Sequence, residues 1–272
     1  MRSIREMPMS QSGQVIDDAI RVYWQPGCTS CLRTKEFLTR HGVPFLSRNV
    51  LGDEGAYDEL KHFGLRQVPI VTRGKRWANG QVLTDVAELV GIQGLKTSIL
   101  PVTTLHERAT AVLEGAERFY RQFPDERLKE CLPNRPRHYT DLTYHIFNNV
   151  DAFLEEKAGI PLTFDSYNRF PEPGADGRAD VLAYAQDVQR RFATWMSGPG
   201  RDIDWTARAD VYYGEQSQHQ FLERTTWHSG QHVRQLMWAL ERMGIAPSSP
   251  LTAETFAGLP MPEKVWDDEA AA

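Results

Sequence analysis

The distribution of apolar residues divides the chain into two parts with different periodicity. Up to about residue 94, short apolar runs alternate with stretches of helical period. Strands are predicted for the apolar runs, at residues 19–24, 43–50 and 68–73. Helices are predicted for the stretches that follow them, at residues 28–41, 53–63 and 83–90. Strands that alternate with helices indicate βαβ units, so this part is expected to form an α/β domain with a partly parallel sheet.

The rest of the chain has little strand signal and contains four stretches in which apolar residues recur at steps of three and four. Such steps place the apolar residues on one buried helix face. The helices are predicted from Thr104 and at about residues 137–157, 178–196 and 216–243. Thr104 and Glu107 have the spacing of a capping box at the start of the first helix. Four amphipathic helices of this length predict an all-α region, a four-helix bundle.

These patterns give the expected domain organisation. The α/β domain is assigned to residues 1–95 and the bundle to residues 101–246. A C-terminal extension follows at residues 247–272; it holds four prolines and an acidic end, so irregular structure is expected there.

Composition limits the functions that are compatible with this organisation. The net charge is −5, whereas nucleic-acid-binding domains are usually strongly basic. No stretch reaches the ~18 consecutive apolar residues of a membrane span, and no apolar signal core stands near the N-terminus. Three cysteines cannot form a disulfide framework, and an odd number fits a reducing compartment. We therefore expect a cytoplasmic protein with neither nucleic acid nor a membrane as partner.

The first candidate site is the pair Cys28 and Cys31, which follows a predicted strand and opens a predicted helix. A thiolate at a helix N-terminus faces unpaired N–H groups and the positive end of the helix dipole, which lower its pKa. Cys28 is expected to be the nucleophile, and Cys31, one turn later, the thiol that resolves a mixed disulfide. The alternatives are half of a zinc site or an inert pair.

Residues 23–31, Tyr-Trp-Gln-Pro-Gly-Cys-Thr-Ser-Cys, resemble the active-site segment of glutaredoxins and of the related NrdH-type redoxins. Val68-Pro69 resembles the cis-proline segment of that family, and residues 77–80, Trp-Ala-Asn-Gly, resemble the Trp-x-Gly segment of NrdH-type members. The resemblance covers about residues 19–92. It implies a thioredoxin-like, glutaredoxin-type fold with a redox-active disulfide.

The same resemblance implies which residues surround the substrate thiol. They are Tyr23, Gln25, Val68 and Pro69, and the cis bond would present the Val68 backbone to an incoming thiol as a strand-like partner. Many glutaredoxins carry a lysine that binds a glutathione carboxylate where Gln25 stands in this sequence.

The second candidate site consists of histidines. His228 and His232 are four residues apart on the last predicted helix, so their side chains share one face, and His145 lies on the second predicted helix. A bundle core can bring such residues together around a metal, and three nitrogen ligands leave open positions for water or a substrate thiolate. Zinc is the first expectation, although imidazole also suits nickel, copper and iron. The alternatives are a surface histidine pair, or His138 as a ligand in place of His145.

Residues 142–145, Leu-Thr-Tyr-His, and residues 228–232, His-Ser-Gly-Gln-His, resemble the histidine segments of the DinB/YfiT-like family. The resemblance covers about residues 103–244. That family includes metal-dependent thiol transferases and isomerases. The resemblance implies His145, His228 and His232 as metal ligands, a low-molecular-weight thiol such as glutathione as cosubstrate, and homodimer formation through the bundle.

Together the two sites predict a thiol-dependent transferase or isomerase coupled to a thiol–disulfide redox domain, acting on an unidentified electrophilic or disulfide substrate. The alternative is a disulfide reductase whose bundle serves only for docking or dimerisation; a sensor that couples the two sites is a third hypothesis. The remaining cysteine, Cys131, is expected to be a partly buried, unreactive thiol. A bolder alternative has it exchanging with Cys28 or taking up a thiol adduct.

Overall fold

The computed structural model describes residues 5–6, 18–95 and 97–267. The chain forms two compact units. The first runs to Thr97 and also takes in Tyr213–Glu215 and the chain from Pro262, while the second comprises Ser98–Tyr212 and Gln216–Met261. The segment that the sequence assigns to a C-terminal extension therefore divides between the two units after Met261.

The first unit is built on a five-stranded mixed sheet with the order β1-β5-β4-β2-β3. The strands are β1 (Arg5–Glu6), β2 (Ile20–Trp24), β3 (Leu46–Asn49), β4 (Ile70–Arg73) and β5 (Arg76–Asn79). Strands β2 and β3 pair in parallel, whereas β2 with β4, β4 with β5 and β1 with β5 pair antiparallel. The three predicted strands are present as β2, β3 and β4, but neither β1 nor β5 was predicted. The last strand of the sheet along the chain is β5. It follows β4 through a turn at Gly74, whose φ of 58° favours glycine.

Three helices cover the two faces of this sheet: α1 (Thr29–Arg40), α2 (Glu54–His62) and α3 (Leu83–Val90). Successive residues of a strand point to opposite faces, and β2 contributes one to each of two apolar clusters. Val22 packs with Phe37 of α1 and Val86 of α3, whereas Tyr23 packs with Leu60 of α2. Helices on both faces of a mixed sheet make this unit a thioredoxin-like α/β domain.

The second unit is mainly helical. Its helices are α4 (Val102–Tyr120), α5 (Tyr139–Lys157), α6 (Phe164–Tyr167), α7 (Arg178–Ser197), α8 (Gln218–Arg242) and α9 (Ala253–Phe256). Two short 3-10 turns lie at Asp125–Arg127 and Pro199–Arg201, and β6 (Arg208–Ala209) pairs antiparallel with β7 (Gln216–Ser217). Among the described residues, none of these helices has both the length and the apolar character required to span a membrane.

The four long helices of this unit pack against one another: α4 contacts α5, α7 and α8, and α5 contacts α7 and α8. Their facing apolar residues are buried, as the steps of three and four predict; examples are Leu105, Val112, Ile146, Phe153, Val188 and Leu236.

The predicted capping box at Thr104 and Glu107 is wrong. Helix α4 begins two residues earlier, because Pro101 precedes it and the Pro101 carbonyl accepts the first helical hydrogen bond, from Leu105 N at 2.9 Å. A capping box forms instead at the start of α8, where the Ser217 hydroxyl accepts Gln220 N at 3.2 Å and Gln220 Oε1 accepts Ser217 N at 2.8 Å.

Candidate redox and metal sites

Cys28 and Cys31 are joined as a disulfide at the N-terminus of α1, with their Cα atoms 5.2 Å apart. Cys28 is the N-cap residue, and its Sγ accepts the Cys31 backbone N–H at 3.2 Å. No acidic residue stands in the first turn of α1 to oppose a negative charge there. Cys28 is half-buried, whereas Cys31 is fully buried. Cys28 is thus the more exposed of the two cysteines, at a helix end where the backbone N–H groups and the helix dipole favour negative charge.

The bond between Val68 and Pro69 is cis, as the resemblance implies. Pro69 is held against α1 through Gly80, whose N–H donates to the Pro69 carbonyl at 2.9 Å. A Cβ on Gly80 would lie 2.8 Å from Thr34 Oγ1 and 2.9 Å from the Pro69 ring, so only glycine fits between them. The Thr34 hydroxyl, on α1, lies 2.7 Å from the Gly80 carbonyl oxygen. The end of β5 thereby fixes the cis-proline beside the helix that carries the cysteines.

The other residues that the resemblance assigns to the substrate thiol differ in exposure. Tyr23 is buried in the core of the first unit, and its hydroxyl donates to Glu59 at 2.7 Å. Burial, together with that hydrogen bond, raises the pKa of Tyr23. The Tyr23 hydroxyl therefore contacts Glu59 in the protonated form. Gln25 and Val68 are half-buried, and the Gln25 carbonyl accepts Cys28 N at 3.3 Å.

Three buried histidines meet between α5 and α8 in the second unit. Nε2 of His228 lies 3.3 Å from Nε2 of His145 and 3.2 Å from Nε2 of His232. One ring nitrogen from each histidine lies within 4.8 Å of the other two. The structure thus brings together the three residues that the sequence predicts as ligands, from two helices that are far apart along the chain.

The donor set fits a divalent transition metal. A tetrahedral zinc ion with Zn–N distances of about 2.0–2.1 Å holds its nitrogen ligands about 3.3–3.4 Å apart, close to the separations between these Nε2 atoms. His232 Nδ1 lies 2.7 Å from Gln235 Oε1, a contact that fixes the proton on Nδ1 and leaves Nε2 as the ligand atom. His145 Nδ1 is buried without a hydrogen-bond partner among the described residues. Three nitrogen ligands would leave coordination positions for water or substrate.

The surroundings keep the imidazoles neutral, as metal ligands must be. Burial lowers the pKa of all three histidines, and that of His232 falls to about 3. Arg137 lowers the pKa of His145 and His232 further, and Arg224 lowers that of His228. A neutral ring offers a nitrogen lone pair throughout the physiological pH range.

The arginines that surround the histidines were not predicted from the sequence. Arg224 precedes His228 by one helical turn, and its guanidinium lies 4.8 Å from the centre of the Tyr167 ring. The Tyr167 ring stacks against His228 at 6.1 Å. Arg137 is buried; burial lowers its pKa only to about 10, so it stays cationic at pH 7. The signal for Arg224 was its i−4 spacing from His228, whereas nothing in the sequence pattern marks Arg137.

The structure excludes one alternative ligand and corrects one expectation about a neighbouring residue. His138 is not part of the cluster, because it caps α5: its backbone N–H donates to Asp141 Oδ2 at 3.1 Å, and its Nδ1 lies 3.0 Å from the same oxygen. Cys131 is exposed rather than partly buried; it precedes α5, and its backbone forms an antiparallel β-bridge with that of His138.

The neutral histidines predict that the metal-free protein loses stability as the pH falls below 6.5. An unfolded histidine, with a pKa of about 6.5, binds a proton there, whereas folded His232 does not until about pH 3. The unfolded state then binds more protons, so the free energy of unfolding should fall by up to about 1.4 kcal/mol per pH unit for this residue. The measurement is urea unfolding in the presence of a chelator at pH 7 and at pH 5. Between these two pH values, the free energy of unfolding should decrease by about 2 kcal/mol more for wild type than for His232→Gln.

The matched control for this measurement is His62→Gln, since His62 is exposed on α2. It should keep the pH dependence of wild type. An equal loss of stability in wild type and His232→Gln would contradict the neutral, buried state of His232.

Comparison with known proteins supports the assignment of the first unit. Residues 20–77 match the Glutaredoxin family model. The global transcriptional regulator Spx of Bacillus subtilis (strain 168) is 36% identical over 42 residues, which cover 15% of this chain and 32% of Spx. Spx of Listeria innocua serovar 6a is 26% identical over 126 residues, or 44% of this chain and 92% of that protein. The chain thus spans about a third of the length of the first relative. The segment with the cysteine pair and the cis-proline is a glutaredoxin-type domain.

Proposed function

We propose that the first unit catalyses thiol–disulfide exchange through Cys28 and Cys31. The observation that carries this proposal is the position of the half-buried Cys28 Sγ at the N-terminus of α1, within 3.2 Å of the Cys31 N–H. The cis-proline just before β4 supports it, because the adjacent Val68 backbone would act as a strand-like partner for an incoming thiol such as glutathione.

The exchange proceeds in two balanced steps. The Cys28 thiolate attacks one sulfur of a substrate disulfide, forms a mixed disulfide and releases the other half of the substrate as a thiolate. The Cys31 thiolate then attacks Cys28 Sγ and releases the second half. The two cysteines lose two electrons and form the disulfide seen in the structure, and the substrate gains them. A low-molecular-weight thiol such as glutathione, in two equivalents, restores the dithiol.

A single-turnover experiment tests this function. The reduced chain, freed of reductant, is mixed with excess 2-hydroxyethyl disulfide, and released thiol and remaining protein thiols are counted. The expected result is two equivalents of mercaptoethanol per chain, with Cys28 and Cys31 oxidised and Cys131 still free. A chain that releases no thiol would exclude the exchange function.

We further propose that the second unit is a DinB-like four-helix bundle whose histidines hold a divalent metal, zinc first, for thiol-dependent transfer or isomerisation. The supporting observation is the buried three-histidine cluster with its neutral rings. A bound metal would lower the pKa of a substrate thiol and hold it as a thiolate.

The residues around the histidines favour an anionic thiol as cosubstrate. Arg137 and Arg224 are buried cations that act on the histidine rings, and they would attract a carboxylate. Glutathione carries two carboxylates as well as its thiol, so it fits this charge. The other substrate, an electrophile or a mixed disulfide, would react with the thiolate; the first unit would recover the thiol from any disulfide formed.

Cobalt substitution tests thiol binding at the metal without an assumed reaction. The cobalt(II)-loaded protein is titrated with glutathione and, as a control, with S-methylglutathione. The expected result is a near-ultraviolet sulfur-to-cobalt charge-transfer band with glutathione alone. If neither compound changes the spectrum, glutathione is excluded as a metal-bound cosubstrate. The favoured function is then that of a cytoplasmic disulfide reductase whose helical unit serves for docking or dimerisation.

A further inference from the structure

The last described segment of the chain lies along helix α1, within the first unit. This C-terminal strap comprises Pro262–Asp267. Its backbone is anchored at one end, because the N–H groups of Glu263 and Lys264 donate to the two Glu36 carboxylate oxygens at 2.7 and 2.9 Å. Arg40 adds an ion pair to the Glu263 side chain at 3.0 Å. The strap is therefore attached to the same helix whose N-terminus carries the cysteines.

The other end of the strap is anchored by a buried ion pair. Lys35 Nζ lies 2.8 Å from Asp267 Oδ2, and the two side chains are only 7% and 9% exposed. The Lys35 ammonium also lies 3.8 Å from the centre of the Trp24 ring, at the end of β2. Removing one member of such a pair leaves a buried charge without its counterion, so release of the strap is unfavourable.

Between these anchors the strap places Trp266 on the loop that leads into Cys28. A Cβ on Gly27 would lie 2.7 Å from Trp266 Cη2, so the indole rests directly on the Gly27 backbone. Gly27 has a φ of 67°, and both Pro26 and Gly27 are buried, although they adjoin the nucleophile. Trp266 itself is 8% exposed. The strap thus covers one side of the loop that leads into Cys28.

We propose that Trp266 determines the substrate class of the redox site, by restricting Cys28 to low-molecular-weight disulfides and excluding disulfides of folded proteins. A small disulfide needs access only to the half-buried Cys28 Sγ. A folded protein must also seat its surface around the attacked sulfur, and Trp266 occupies the side at Gly27. This inference rests on the proposed exchange function for its biological meaning, but the accessibility of Cys28 can be measured without catalysis.

The first test compares the rates at which iodoacetamide and a 5-kDa polyethylene glycol maleimide modify the reduced chain. All variants carry Cys131→Ser, because the exposed Cys131 thiol would otherwise react with both reagents. Trp266→Ala should raise the ratio of the maleimide rate to the iodoacetamide rate about tenfold. In this variant, the reaction of the bulky maleimide with Cys28 no longer requires local opening of the strap. The control Trp238→Ala, in α8 of the helical unit, should leave the ratio unchanged. An unchanged ratio in Trp266→Ala would overturn the inference.

The second test compares the reduction of insulin with that of 2-hydroxyethyl disulfide. Trp266→Ala should raise kcat/KM for insulin about tenfold and change that for the small disulfide less than about twofold. Trp266→Phe should retain most of the discrimination. If Trp266→Ala reduces both substrates with the same ratio of kcat/KM values as wild type, the role of Trp266 is contradicted but the exchange function is not. If wild type reduces neither substrate, the exchange function is contradicted.

Discussion

The His228→Ala/His232→Ala variant is expected to bind no zinc under conditions in which the wild-type chain binds about one ion. The two residues supply two of the three ring nitrogens that meet between α5 and α8. Loss of a residue that only hydrogen-bonds to a metal ligand typically lowers metal affinity about 10- to 100-fold. The loss of two direct ligands should therefore lower it by about 10³-fold or more. Elemental analysis after zinc loading and desalting measures the stoichiometry.

The control is His138→Ala, which removes a histidine of the same unit that caps α5 and lies outside the cluster. It should retain about one zinc per chain. A second readout is stability, because a metal that binds only the folded state raises its unfolding temperature. Zinc should stabilise wild type and His138→Ala but not the double variant. Full zinc binding by the double variant, or no zinc binding by wild type, would exclude the three-histidine centre.

Much of the fold follows from local patterns. The strand at residues 19–24 and the helix after Cys28 are specified by short-range signals, an apolar run and a helical period, and both are present in the structure. Strand β5 was not predicted because Arg76–Asn79 has only four residues, of which two are polar; its pairing with β4 stabilises it as a strand. The start of α4 was misplaced because a threonine with capping-box spacing competes with Pro101, whose fixed φ ends the extended segment.

The candidate sites were predictable to different degrees, for a physical reason. The cysteine pair and the pair His228 and His232 are defined by local spacing, which a helix converts directly into geometry. His145 comes from another helix, so only packing of α5 against α8 brings it within 3.3 Å of His228. A helical period gives the buried face of a helix but not which residues of two faces meet, and the resemblance to a family supplied that step.

The contacts that modify the sites depend on tertiary structure alone. Trp266 lies near one end of the sequence and Gly27 near the other, and no spacing rule connects them. Arg137 stands in a proline-containing turn where an exposed arginine is the ordinary expectation, yet it is buried. Its effect on the pKa of His145 and His232 is seen only once the turn is placed beside α5 and α8.

The Cys28→Ser variant is expected to lose disulfide reduction by about 10³-fold or more, because a serine hydroxyl is not ionised near pH 7 and cannot replace the thiolate nucleophile. Cys31→Ser should behave differently. Cys28 can still attack a substrate disulfide, but without Cys31 the mixed disulfide is not resolved from within the chain. Turnover of 2-hydroxyethyl disulfide with glutathione as reductant measures the first effect. Mass spectrometry of the protein after mixing with substrate measures the second, as an added mercaptoethanol on Cys28.

Exposure predicts that these roles cannot be exchanged. Cys28 is half-buried at the N-cap and accepts the Cys31 N–H, whereas Cys31 is fully buried one turn into α1. Cys131→Ser should leave both turnover and adduct formation unchanged, which also tests whether the exposed Cys131 exchanges with Cys28. A stable adduct on Cys31 in the Cys28→Ser variant, or full turnover without Cys28, would contradict the assignment. An adduct on Cys28 in the Cys31→Ser variant, with none on Cys31 in the Cys28→Ser variant, would show that exposure at the N-cap decides which of the two cysteines is the nucleophile.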